Sequence, residues 1–160
     1  AKTDPVFGAV YKICAVEENG KFAPRIKVSE TVEKITNPGL KSVYRVYDEE
    51  GHAVSDLIAG FDEKVDFSTP YRYVDPEKPW KNRSYENCTA KPLLHKVIEG
   101  GKRLTKTKTL QELQAYVKKQ LDNEIWEEEQ RFDNPHKHYI DMSPDYYEMK
   151  MSMLHNIRTV

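Results

Sequence analysis

Asn19-Gly20 lies between a β-prone run from Val6 to Val16 and a second from Phe22 to Val28. This is the feature that most restricts the fold. A two-residue Asn-Gly loop accepts positive φ at both positions and so closes a hairpin. The same punctuation recurs downstream. Lys41 to Tyr47 alternates, with Val43, Arg45 and Tyr47 on one face and Tyr44 and Val46 on the other. Asp48-Glu49-Glu50-Gly51 turns the chain, and Ala53 to Ala59 returns. Thr89 to Glu99 is strand-like again, and Gly100-Gly101 leads into Lys102 to Thr105 as a third hairpin. Two hairpins alone make a marginal sheet, so something else must cover the apolar face.

The cover is sought at the C-terminal end. Thr109-Leu110-Gln111-Glu112 is a capping box, in which hydroxyl and carboxylate satisfy free amides of a first helical turn. Leu113, Val117, Leu121 and Ile125 then recur every four residues, with Trp126 beside them. This stripe is expected to pack on the sheet of the first hairpins and on a second helix. Ser143-Pro144 opens that helix, with Ser as cap and Pro in the first position, and Tyr147, Met151 and Leu154 as its apolar face. Between sheet and helices, Phe61 to Asn87 contains Pro70, Pro76 and Pro79, which disfavour helix. Tyr71, Tyr73 and Trp80 suggest a loop packed down on the rest. The expected class is α+β. Residues 1–60 form a β-hairpin region, 61–92 an aromatic and Pro-rich connector, and 93–160 a hairpin plus two helices.

Composition excludes several functions. The 160 residues are 38% hydrophobic and 32% charged, with a net charge of −1, which gives no electrostatic case for nucleic acid or an anionic membrane. No apolar run is long enough to span a bilayer. Cys14 and Cys88 match no metal or redox spacing and read as reduced structural thiols of a cytoplasmic protein. No metal site is expected: His136 and His138 would share a strand face, but no third ligand is evident. None of the five histidines is assigned to catalysis, and there is no Gly-rich phosphate loop or nucleophile motif. Glu127-Glu128-Glu129 reads as a solvated helix face. The chain begins at Ala1 rather than Met, which reads as a piece of a longer protein.

The chemistry-bearing stretch is Pro24 to Gly39. Arg25 to Ser29 is expected to be a short strand with Lys27 on one face and Ile26 and Val28 on the other. A polar turn brings Lys34 and Thr36, and Pro38-Gly39 closes the segment. Two ammonium groups with Ser29 and Thr36 hydroxyls can hold phosphate, because lysine supplies mobile point charge and hydroxyls supply donors. The competing reading is a solvated edge strand carrying ordinary surface lysines.

Gly8-Ala9-Val10-Tyr11-Lys12, Ile26-Lys27-Val28-Ser29, Glu33-Lys34-Ile35-Thr36-Asn37-Pro38-Gly39-Leu40-Lys41 and Tyr44-Arg45 together resemble the C-terminal part of nicotinate phosphoribosyltransferases. Phe132-Asp133-Asn134-Pro135-His136 and Tyr139-Ile140-Asp141-Met142-Ser143 are similar to that family's tail. The resemblance implies an enzyme joining nicotinate to phosphoribosyl pyrophosphate, with nicotinate mononucleotide and pyrophosphate as products. The reaction is coupled to hydrolysis of ATP with Mg2+. It also implies an upstream α/β barrel, absent from this chain, that carries the base and ribose sites and a transiently phosphorylated histidine. A homodimer follows from it too. In the related nicotinamide enzyme, lysines matching Lys27 and Lys34 reach substrate phosphates, and one matching Lys12 does so across a subunit interface. The spacing of Lys27 and Lys34 differs by one from that relative, and Val10 stands where it has Ser. The reading from another class is a non-catalytic β-sheet and helix module that docks a protein partner.

Overall fold

The structure, a computed structural model, describes residues 8–31, 34–67 and 70–158. It divides into two units, Ala1–Leu40 with Met149–Val160, and Lys41–Glu148.

In the first unit, β1 (Ala15–Glu18) pairs antiparallel with β2 (Lys21–Pro24), with Glu18 opposite Lys21. Asn19 and Gly20 have φ of 53° and 76°, the backbone of the expected Asn-Gly loop. The part of the Val6 run before Gly8 lies outside the described residues, and β1 begins only at Ala15. The expected strand from Arg25 to Ser29 does not form. Pro24 has no N–H to continue the ladder. The carbonyl of Cys14, next in register, accepts from Arg25 N (2.8 Å) and from Gly39 N (2.6 Å). The far end of the loop thus occupies the position where a longer ladder would run. Gly39 makes that return at φ +82°, a left-handed backbone that glycine adopts without strain.

The second unit is built on a six-stranded sheet in the order β6-β5-β10-β4-β3-β7. Its members are β3 (Lys41–Tyr47), β4 (Ala53–Gly60), β5 (Tyr71–Val74), β6 (Asn82–Tyr85), β7 (Thr89–Pro92) and β10 (Ile140–Met142). The expected β3–β4 hairpin forms, with Lys41 opposite Gly60 and a bulge at Val46/Tyr47. The Pro-rich connector contributes β5 and β6 rather than a packed loop, with Tyr71 opposite Tyr85. β7 pairs with β3, so the third hairpin shrinks to β8 (Ile98–Glu99) and β9 (Lys102–Arg103). β10 inserts parallel to β4 and antiparallel to β5. Val46, Leu57 and Tyr73 form the core, with Tyr44, Val65, Phe67 and Tyr85 packed against them. The α+β class holds.

The two helices form where the caps place them. Helix α1 is Leu110–Asn123, with both capping-box bonds at Thr109 and Glu112. Helix α2 is Pro144–Arg158, and Ser143 Oγ accepts from Tyr146 N. The expected packing of α1 is corrected: none of its residues is buried, and Val117 is 50% exposed. α1 is held at its C-terminal end. Ala53 N donates to the Glu124 carbonyl (2.7 Å), and the Tyr47 hydroxyl donates to Glu124 Oε2 (2.9 Å). Trp126 stacks on His52 with centroids 4.0 Å apart. A four-residue period fixes that one face is apolar, not what covers it. The buried face of α2 is also different, being Tyr146, half-buried Lys150 and Leu154, while Met151 is exposed. Among the described residues no helix is long and apolar enough to cross a membrane, and both cysteines are free.

Candidate functional site: the lysine loop

The loop from Arg25 to Gly39 is built from its closing contacts. Thr36 N donates to the Lys27 carbonyl (3.2 Å), and Lys34 N donates to the Thr31 carbonyl (3.0 Å). Ser29 Oγ accepts from Thr31 N (3.3 Å), an ST turn that shapes the bend. The Lys12 ammonium donates to the Lys34 carbonyl at 2.7 Å. The Lys12 side chain therefore reaches the Lys34 backbone, and the Lys27 backbone is tied to Thr36, two residues beyond Lys34.

All three lysines are exposed. Among the described residues none of them forms an ion pair with a carboxylate. Arg25, just beyond β2, is paired with Glu18. Beneath the loop, Thr36, Pro38 and Gly39 are buried. Thr36 Oγ1 has no hydrogen-bond partner among the described residues. Lys150 Nζ donates to Asn37 Oδ1 at 2.6 Å. The side chain of Lys150 is half-buried, and desolvation lowers its pKa from the ordinary lysine value. This arrangement offers mobile positive charge on a loop whose backbone is fixed. Chemically it suits a polyanion with oxygens at several positions.

The second unit holds its own polar clusters, of a different kind. Arg45 forks onto Asp56 at 2.8 and 3.1 Å. His138 Nδ1 lies 3.1 Å from Glu129 Oε2, and Nε2 lies 3.5 Å from Asp56 Oδ1, within ion-pair range but beyond a hydrogen bond. The Asp56 carboxylate first, and Glu129 with it, raises the His138 pKa against desolvation that lowers it. For Asp56, burial pushes the pKa up, but His138 and Arg45 outweigh it and bring the group to about 2. Buried Asp141 accepts from Ser55 Oγ (3.0 Å) and lies 3.7 Å from Arg83, which also pairs with Asp75 (3.3 Å). Every charge in these clusters faces an opposite charge. Among the described residues no group of three or more His, Cys, Asp or Glu side chains could hold a metal ion.

Sequence reading found the three lysines and Thr36 but missed Lys150. The available signal was its position: Tyr146, Lys150 and Leu154 are spaced four apart, which puts the lysine on the buried face of α2. The carboxylate partners of His138 are not visible in the sequence, since Asp56 is remote and Glu129 sits in an acidic run that reads as solvated.

Comparison with known proteins follows the same division. A family model described as "Nicotinate phosphoribosyltransferase C-terminal domain" matches residues 40–150, close to the bounds of the second unit. The whole chain is similar to nicotinate phosphoribosyltransferase of Bacillus subtilis (strain 168). The two are 34% identical over 160 residues, which is 99% of this chain and 32% of that protein. The enzyme of the same name from Caenorhabditis elegans is 29% identical over 147 residues, covering 90% of this chain and 25% of its own length. A crystal structure of human nicotinic acid phosphoribosyltransferase shares the fold, with TM-score 0.66 and 20% identity over 73% of this chain and 23% of that one. The chain thus spans about a third or less of these relatives.

Proposed function

The chain belongs to the nicotinate phosphoribosyltransferase family, and from that premise we propose that it is the C-terminal portion of such an enzyme, with Lys12, Lys27 and Lys34 binding substrate phosphate. In this reading the whole enzyme makes nicotinate mononucleotide from nicotinate and phosphoribosyl pyrophosphate in NAD salvage. It combines glycosyl transfer with ATP hydrolysis, in the cytoplasm and as a homodimer. The observation that carries the site is a loop bearing exposed Lys27 and Lys34, bonded at the Lys34 carbonyl by Lys12, with no carboxylate paired to any of the three among the described residues.

The chemistry follows from where charge develops. As pyrophosphate leaves the ribose, negative charge accumulates on its oxygens. Ammonium groups already in place stabilise that state more than the bound substrate. The loop backbone is fixed by Thr36 N on Lys27 O and by Lys12 on Lys34 O, so little must reorganise. Base, ribose and ATP sites, with Mg2+, belong to the upstream barrel in this proposal.

The test is Lys27→Ala in the full-length enzyme. Use of phosphoribosyl pyrophosphate should fall by about 2–4 kcal/mol in transition-state terms, the scale of losing one preorganised charge contact. Lys41→Ala should cost less. Kinetics of both variants equal to the parent would reject the phosphate assignment.

A further inference from the structure

We propose that Lys150, on α2, is a positioning residue of the lysine loop, holding it through Asn37 and leaving its own charge uncompensated for the bound polyanion. This rests on the phosphate-site reading above and extends it to a residue 113 positions from its partner in sequence.

The contacts place α2 directly against the closing end of the loop. Lys150 Nζ donates to Asn37 Oδ1 at 2.6 Å. Met149 Cε lies 3.6 Å from where a Cβ on Gly39 would sit, as does Pro24 Cβ at 3.7 Å. Gly39 in turn is anchored on the Cys14 carbonyl, and Thr36 on that of Lys27. The residues that close the loop, Thr36 to Gly39, are thus gripped from the hairpin on one side and from α2 on the other.

The choice of lysine for this contact is informative. A neutral donor could satisfy Asn37 Oδ1 equally well, without removing a charge from water. Burying an ammonium against a neutral amide carries a solvation cost that an ion pair would offset. No carboxylate lies within ion-pair distance of Lys150 among the described residues. Partly buried cations elsewhere in the molecule show the alternative, Arg45 and Arg83 each being set against aspartates. Lys150 therefore adds positive potential beneath a loop that already carries Lys27 and Lys34. Buried Thr36 Oγ1, without a partner among the described residues, is a second group in the same turn. An incoming pyrophosphate supplies the missing negative charge. This assigns Lys150 an indirect role, through loop position and local potential.

The experiment uses the full-length enzyme with Lys150→Met, Lys150→Arg, Asn37→Asp and Lys27→Ala. Lys150→Met should raise KM for phosphoribosyl pyrophosphate and the inhibition constant of inorganic pyrophosphate about tenfold, the scale of coupling between groups in one network. KM for nicotinate should not move. Lys150→Arg should recover most of the loss. Asn37→Asp keeps the shape but gives Lys150 a counter-ion, so it should raise Tm while weakening both phosphate constants. A purely structural Lys150 would instead lower Tm and change both substrates' constants together, with Asn37→Asp neutral or beneficial for activity, and that pattern overturns the inference. If Lys27→Ala weakens use of phosphoribosyl pyrophosphate and Lys150→Met does not, the inference fails and the phosphate site stands. If neither variant has an effect, the site reading falls and takes the inference with it.

Discussion

The lysine loop of the first unit and the polar clusters of the second treat charge in opposite ways, while elsewhere in the first unit Arg25 pairs with Glu18. In the second, Arg45, Asp56, His138 and Glu129 neutralise one another, and Arg83 is shared between Asp75 and Asp141. In the first, Lys12, Lys27, Lys34 and Lys150 touch only backbone carbonyls or an amide, or nothing charged, among the described residues. A buried pair holds structure together because removing one partner strands the other. An unpaired charge on a fixed loop contributes little to stability and is available to a ligand. The difference teaches where to look for chemistry: at charges the fold does not consume. Net composition hides this, since the whole chain is nearly neutral.

The comparison breaks first at Asp56. Asp56→Ala leaves Arg45 and His138 without their shared carboxylate, and should destabilise the protein by about 2–4 kcal/mol, as loss of one partner of a partly buried, hydrogen-bonded pair does. Denaturant melts would check this. A loss below 1 kcal/mol would mean that the pairing does not hold the second unit together. Leu57→Ala, in the core beside Val46 and Tyr73, should cost about 2–5 kcal/mol through transfer energy and a cavity.

A smaller, signed effect comes from pH. The His138 pKa is raised above its ordinary 6.5, so the protonated form is the stabilising one. That contribution is complete below pH 6.5 and is lost as pH rises through the raised value. Asp56 acts oppositely: its stabilisation is present above its ordinary 3.8 and is lost as pH falls through about 2. The stability difference between wild type and His138→Gln should therefore shrink from pH 6 to pH 9. A difference that grows over that range would contradict the assigned pairing. The smallest effect is expected on α1: Leu121 is 41% exposed, so Leu121→Ala should cost less than about 1 kcal/mol.

The parts of the fold legible in the sequence are those with local causes. The Asn19-Gly20 hairpin, the Thr109 capping box and the Ser143-Pro144 helix start each depend on residues within a few positions. What was not legible depends on distant partners. β10 is three residues long and gains its place only by pairing with β4 and β5, roughly seventy or more residues away, where no periodicity can signal it. The strand expected at Arg25 to Ser29 fails because Gly39 returns to the same Cys14 carbonyl. The stripe on α1 was visible, but its exposure was not. The lysines of the site were legible as residue types. Their shared loop, and Lys150 beneath it, required the tertiary contacts.

The division proposed here is between a lysine loop that acts on substrate and clusters of the second unit that act on structure. It is tested most directly by measuring kcat/KM for phosphoribosyl pyrophosphate and unfolding free energy on the same full-length Lys27→Ala protein. The account predicts unfolding free energy within about 0.5 kcal/mol of the parent, as for an exposed surface change, with a fall of about 2–4 kcal/mol in transition-state stabilisation. A fall in stability of that size with kcat/KM unchanged in the molecules that remain folded would contradict it.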